Sequence, residues 1–213
     1  MVIKNVLLIF LLLLANAHAK GPYVDDETIA KITKKYNTYA KKRFYYLQVV
    51  LDKVKDKSDL EKLNAVNEFY NEVRYSSDLK VYNKKDYWAT PLEFLSKDKG
   101  DCEDYVISKY YALKYLGVDS KKLFFTYVRS TKFKAPHMVL TYFETPRSEP
   151  LVLDNNNRKI FLASQRKDLI PIYNLNEESL YRASKSGTGK KIKQKRSHKK
   201  WDQLKQNIKR KKI

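Results

Sequence analysis

The sequence predicts an α+β domain in which N-terminal helices pack on an antiparallel sheet. Three observations carry that reading. Between Val24 and Gly117, apolar and aromatic side chains recur at helical spacing. From Lys122 onward they gather into short β-rich runs separated by turn residues. Helices first and strands afterwards is the order of an α+β domain, not of alternating βαβ units.

The elements follow in order. Lys4, an apolar run from Val6 to Ala15, and "ANAHAK" with small residues at Ala17 and Ala19 read as a secretory leader over 1–19, cleaved after Ala19. An uncleaved N-terminal anchor is the alternative. The stretch "VDDETIAKITKKYNTYAKKRFYYLQVVLDKV" places Ile29, Ile32, Tyr36, Tyr39, Phe44, Leu47 and Leu51 at helical spacing, with acids early and lysines late. It predicts one amphipathic helix or two, with charges matched to the helix dipole. In "SDLEKLNAVNEFYNEVRY", Ser58 or Asp59 caps a further helix and Glu61 stands at capping-box spacing from Ser58. "SSDLKVYNKKDYWATPLEFLSKDK" reads as loop and short helix, with Thr90 as N-cap and Pro91 in the first helical position. A buried helix then runs from about Cys102 to a glycine stop at Gly117.

"KLFFTYVRS", "HMVLTYFET" and "PLVLDNN" read as three antiparallel strands, and "KIFLASQRKDLIPIYNL" adds one or two short segments. Residues 20–184 form one domain, long enough for a single core.

The formal charge of +20 first suggests nucleic acid, so its distribution matters. Residues 185–213 hold thirteen Lys and Arg against Asp202 alone, a net of +12. With +1 from Lys4 in the leader, +7 is left for residues 20–184. The excess therefore sits in a segment that opens on Gly and Ser and contains few apolar groups. That composition predicts a disordered tail, with a weak helix around Trp201 to Ile208. A lone aromatic, Trp201, makes a poor stacking platform, so nucleic acid is an unlikely partner. An anionic membrane or envelope polymer suits the tail better.

The chain has a single cysteine, Cys102, in "GDCEDYVISKYYALKYLG". It can form no disulfide within the chain. As a bland reading it is a small buried hydrophobe. As a functional one it is a nucleophile at a helix N-terminus, where the dipole favours a thiolate. A nucleophilic cysteine needs a base, and the base needs an orienting acceptor. Of three histidines, His18 leaves with the leader and His198 lies in the tail, which leaves His137. A hairpin across "TPRSEP" would set His137 beside Asp154, at the end of the next strand. Cysteine on a helix, then histidine and aspartate on strands, is the logic of a papain-like or transglutaminase-like fold.

The segments "DYWATPLEFLSKDKGDCEDY", "LGVDSKKLFFTYV" and "HMVLTYFETPRSEPLVLDN" resemble the bacterial transglutaminase-like cysteine peptidases of the periplasmic LapG type, over roughly residues 60–165. The resemblance implies a Cys102 nucleophile, a His137 general base and an Asp154 orienter. It also implies a periplasmic location, and cleavage of the N-terminal region of a large surface adhesin, which frees cells from a biofilm. Control by an inner-membrane cyclic di-GMP receptor of the LapD type belongs to the same implication.

Asp101, Glu103 and Asp104 crowd Cys102 with charge that raises a thiol pKa. On residues alone two readings stand open: the acids match the helix N-terminus, or they hold a divalent cation. The resemblance implies calcium at Asp101 and Glu103, with Asp104 as a further ligand. Trp88 is either core or, by analogy with transglutaminases, an indole donor to an oxyanion. The competing functions are a protein-glutamine acyltransferase, which would pass the acyl group to an amine, and a catalytically silent adaptor module.

Overall fold

The computed structural model describes residues 21–177, 179–184, 187–192 and 199–213. The leader expected over 1–19 and His198 lie outside the described residues.

Helices α1 (Asp26–Lys35) and α2 (Thr38–Val54) begin where Asp25 and Asn37 cap free backbone N–H groups, and they bury Ile29, Ile32, Phe44, Leu47 and Leu51. Helix α3 (Asp59–Asn71) opens on the Ser58/Glu61 capping box. A two-residue strand β1 (Arg74–Tyr75) follows, then α4 (Asp78–Tyr82). Helix α5 (Pro91–Lys97) starts on a Thr90/Glu93 capping box with Pro91 in its first turn. Strand β2 (Lys99–Gly100) pairs in parallel with β1 and leads directly into α6 (Cys102–Tyr115). Gly117, at φ +83°, ends that helix with a conformation that costs glycine little.

The expected strands follow as β3 (Leu123–Ser130), β4 (Ala135–Tyr142) and β5 (Leu151–Asp154). Two more, β6 (Asn157–Leu162) and β7 (Leu169–Leu175), occupy the "KIFLASQRKDLIPIYNL" stretch. With β8 (Leu180–Arg182) and β9 (Lys190–Ile192) they form one seven-stranded sheet in the order β6-β5-β4-β3-β7-β8-β9. Every pairing in it is antiparallel. Helix α6 packs across β4 and β3, and α3 packs against α6, β5 and β6. The core between helices and sheet is largely aromatic: Tyr70, Phe94, Tyr105, Tyr110 and Phe125 are all buried in it.

The basic segment 185–213, expected to be disordered, is corrected by the structure over its described residues. Strand β9 extends the sheet, and helix α7 (Lys199–Lys209) docks on the domain. Trp201 and Leu204 are buried. The Trp201 ring lies 4.9 Å from Phe125, 6.0 Å from Tyr110 and 6.5 Å from Trp88, centroid to centroid. A narrow stripe of Trp201, Leu204 and Ile208 suffices because the domain supplies the apolar surface that the segment lacks. Its lysines also find acids: Lys200 pairs with Asp86, Lys211 with Asp25 and Lys212 with Glu93. Among the described residues no helix is long and apolar enough to cross a membrane.

Candidate active site

Cys102 is the first residue of α6, with Asp101 as its N-cap. The approach is tight. A Cβ on Gly100 would fall 2.3 Å from Asp104 Oδ2 and 2.6 Å from Phe94 Cδ2, so only glycine lets the chain enter the helix here. The Ser76 N–H donates to Gly100 O at 2.8 Å, which ties this turn to β1.

The Cys102 thiol donates to Glu103 Oε2 at 2.8 Å. Burial, then the Glu103 carboxylate and Asp101, push the thiol far above its ordinary pKa, and a hydrogen bond from the Met138 backbone only partly offsets this. Met138 directly follows His137 on β4, so the same contact sets the thiol beside the strand that carries the histidine.

His137 is buried, and its Nε2 meets Asp154 Oδ1 at 2.8 Å. The expected hairpin supplies the geometry: β4 and β5 pair with Leu140 opposite Leu153. The Asp154 carboxylate also accepts the Asn156 backbone N–H at 3.0 Å and Arg166 Nη2 at 2.7 Å. Burial pushes Asp154 upward, but the bonds from His137, Asn156 and Arg166 outweigh it and hold the carboxyl well below its ordinary range. An ionised acceptor requires a hydrogen on Nε2, so the Nδ1 lone pair is left free to take a proton. Arg166 is itself clamped by Asp168 through Nε at 2.9 Å and Nη2 at 2.8 Å.

The acids around the cysteine do converge. Ligand atoms of Asp101, Cys102 and Glu103 lie within 4.8 Å of one another, as do those of Asp78, Asp101 and Asp104. Asp104 is fully buried and accepts the Ala89 N–H at 2.9 Å and the Asp101 N–H at 3.3 Å. Asp78 accepts the Tyr87 N–H. Asp101 is pushed up to about 9 by burial, then by Glu103, Asp104 and Asp78. Asp78 and Asp104 are raised as well, by burial first.

Four carboxyl groups in one partly buried place repel one another unless protons or a cation intervene. Asp78 Oδ1 and Asp101 Oδ1 are buried with no hydrogen-bond donor among the described residues. Oxygens of that kind suit a hard divalent cation, and calcium in particular takes six to eight of them. The set Asp78, Asp101, Glu103 and Asp104 therefore fits calcium, whereas the Cys102 sulfur is too soft for it.

Sequence reasoning missed Asp78, Asn156 and Arg166. Asp78 opens a short helix with nothing nearby in sequence to mark it, and Arg166 stands in an irregular stretch whose partner, Asp154, becomes apparent only when the sheet forms. Trp88 lies in the aromatic core, stacked on Phe125 at 6.4 Å and edge-on to Trp201.

Known proteins share this arrangement of elements. The calcium-bound LapG of Legionella pneumophila is 38% identical, with a TM-score of 0.74 over 87% of this chain and 99% of that one. The EGTA-treated form of the same protein matches at 38% identity and a TM-score of 0.73, over 88% and 100% of the two chains. No curated protein matches the chain. The family model for the bacterial transglutaminase-like cysteine proteinases (BTLCP) matches residues 26–168. With a transglutaminase-like fold and a lone cysteine leading a buried helix beside a histidine-bearing strand, the chain belongs to the bacterial transglutaminase-like cysteine proteinase family.

Proposed function

We propose that this cysteine peptidase is a periplasmic, calcium-dependent endopeptidase with a Cys102, His137, Asp154 triad. On this reading it cuts the N-terminal region of a large surface adhesin, releases cells from a biofilm, and is restrained by an inner-membrane cyclic di-GMP receptor. The observation that carries the catalytic part is the buried Asp154 bonded at 2.8 Å to His137, whose next residue on β4, Met138, contacts the Cys102 thiol. Family membership supports the peptidase chemistry, and the calcium-bound relative supports the metal.

The steps follow from those groups. His137 Nδ1 takes the Sγ proton, and the thiolate attacks a peptide carbonyl carbon. Backbone N–H groups at the start of α6 would be the donors to the oxyanion that forms. Asp154 stabilises the imidazolium without itself accepting the proton. His137 then protonates the leaving amine as the C–N bond breaks, which leaves a thioester on Cys102. A water molecule that gives its proton to His137 attacks the thioester; the carboxylic product departs and the thiol is restored.

Asp78, Asp101, Glu103 and Asp104 are the residues that would hold calcium, and its charge would remove the carboxylate repulsion that now raises the thiol. Contact of the basic C-terminal segment with an anionic lipid or polymer surface belongs to the same proposal and rests on its net charge of +12. The deciding assay incubates an adhesin N-terminal fragment with the protein in calcium or in excess EGTA. A discrete cut in calcium alone is expected. Cutting in both conditions would remove the metal from the reading, and transfer of the fragment to an added amine would favour the acyltransferase.

A further inference from the structure

Lys109 is fully buried, although it carries an amine and belongs to the helix that begins with Cys102. Burying an ammonium is costly unless its donors are used. Here two of the three are: Nζ donates to Asn67 Oδ1 at 2.8 Å and to Asn71 Oδ1 at 2.7 Å, both on α3. Each asparagine then passes its own donor on to the β5–β6 hairpin. Asn67 Nδ2 donates to Arg158 O at 2.9 Å. Asn71 Nδ2 donates to Asp154 O at 2.9 Å and to Asn157 O at 3.0 Å.

The chemistry of the amine dictates the direction of this chain. A protonated lysine only donates, so both amide oxygens must face it and both NH2 groups must face the turn. Without it either amide could turn over and present an oxygen to a carbonyl oxygen. Cys102 and Lys109 are seven residues apart, two helical turns, and so share one face of α6. One rigid helix thereby carries the thiol at its start and, two turns later, the group that fixes the turn bearing Asp154.

We propose that Lys109 is a positioning residue: through Asn71 it fixes the backbone of Asp154, and hence the carboxylate that orients His137, in register with Cys102. This rests on the peptidase reading given above. Burial pushes Lys109 down to about 7, and the Asp154 charge opposes that shift.

The test uses the full mature chain loaded with calcium. Lys109→Met keeps the length and removes the donors, and Asn71→Ala removes only the amide that reaches Asp154. Three quantities are read: the melting temperature, kcat and KM on a cleavable adhesin peptide, and the downfield proton resonance of His137 Nε2–H in histidine-labelled protein. A loss of about 100-fold in kcat with little change in KM is expected from a misplacement near 1 Å. The His137 resonance should shift or vanish in both variants.

Folded variants that keep the resonance and stay within about threefold of the parent in kcat would overturn the proposal and leave Lys109 a packing residue. Should Lys109→Met not fold, Asn71→Ala decides alone. The resonance needs no substrate, so it decides the positioning role even if the parent cuts nothing. Failure of the peptidase reading shows separately, as unchanged cleavage by Cys102→Ala.

Discussion

Asp154 gives one carboxylate oxygen to His137 and the other to Arg166, at 2.8 Å and 2.7 Å. The histidine is thus oriented by an acid that is itself held in place, and the two contacts make different predictions. Asp154→Asn keeps the shape but offers an NH2 group, which favours the wrong imidazole tautomer; kcat should fall by about 10⁴ with KM little changed. Arg166→Met leaves Asp154 and Asp168 without their shared cation, so stability should fall by about 3 kcal/mol and kcat by a smaller factor than in Asp154→Asn. Steady-state kinetics and urea melts on the two variants check the ordering.

The acid cluster predicts an unusual response to pH when calcium is removed. Asp101 stands near 9 in the fold against 3.8 for the free side chain, with burial as the first cause. Between those values the folded chain holds a proton that the unfolded chain has lost, so stability falls as pH rises from about 4 to about 9. Bound calcium should suppress this slope. Melting temperatures measured in EGTA and in calcium should therefore diverge progressively toward alkaline pH. Curves that stay parallel would mean that the cluster holds no cation.

The thiol should report the same event. With Glu103 accepting its hydrogen and burial raising its pKa, Cys102 should alkylate slowly in EGTA at neutral pH. Calcium should speed iodoacetamide labelling, since it removes the Glu103 and Asp101 repulsion that adds to burial in raising the thiol. Mass spectrometry over time reads it cleanly, because the chain has no second cysteine.

Gly100 predicts a steric failure. Alanine there would press its Cβ onto Asp104 Oδ2 and the Phe94 ring at 2.3 and 2.6 Å. Gly100→Ala should cost about 2 to 3 kcal/mol and weaken calcium binding, which calorimetric titration would detect.

Much of this was legible in the sequence. Ser58 with Glu61, and Thr90 with Pro91, mark helix starts by local chemistry alone, and the structure begins both helices there. Cys102, His137 and Asp154 could be picked out because nucleophile, base and acceptor must come in set kinds and the chain offers few candidates, and the structure does place His137 against Asp154. Asp78 and Arg166 escaped because charged residues are common in this chain, and only folding shows which of them face the site. The helix around Trp201 to Ile208 was expected, but its docking escaped for a different reason. Composition averages over a segment, whereas α7 binds through Trp201 and Leu204, two residues whose partners lie far away in sequence. Trp201→Ala should cost about 3 to 5 kcal/mol, as large core truncations do.

That docked helix also orders events in time. Helix α7 is synthesised after every other described element, yet its Lys200 and, just past its end, Lys212 contact Asp86 and Glu93, on either side of the loop whose Tyr87 and Ala89 N–H groups hold Asp78 and Asp104. The loop beside the acid cluster therefore gains these two contacts only once residues 199–213 have been made. A chain lacking residues 199–213 would carry Cys102, His137 and Asp154 with the 86–93 loop unbraced by Lys200 and Lys212.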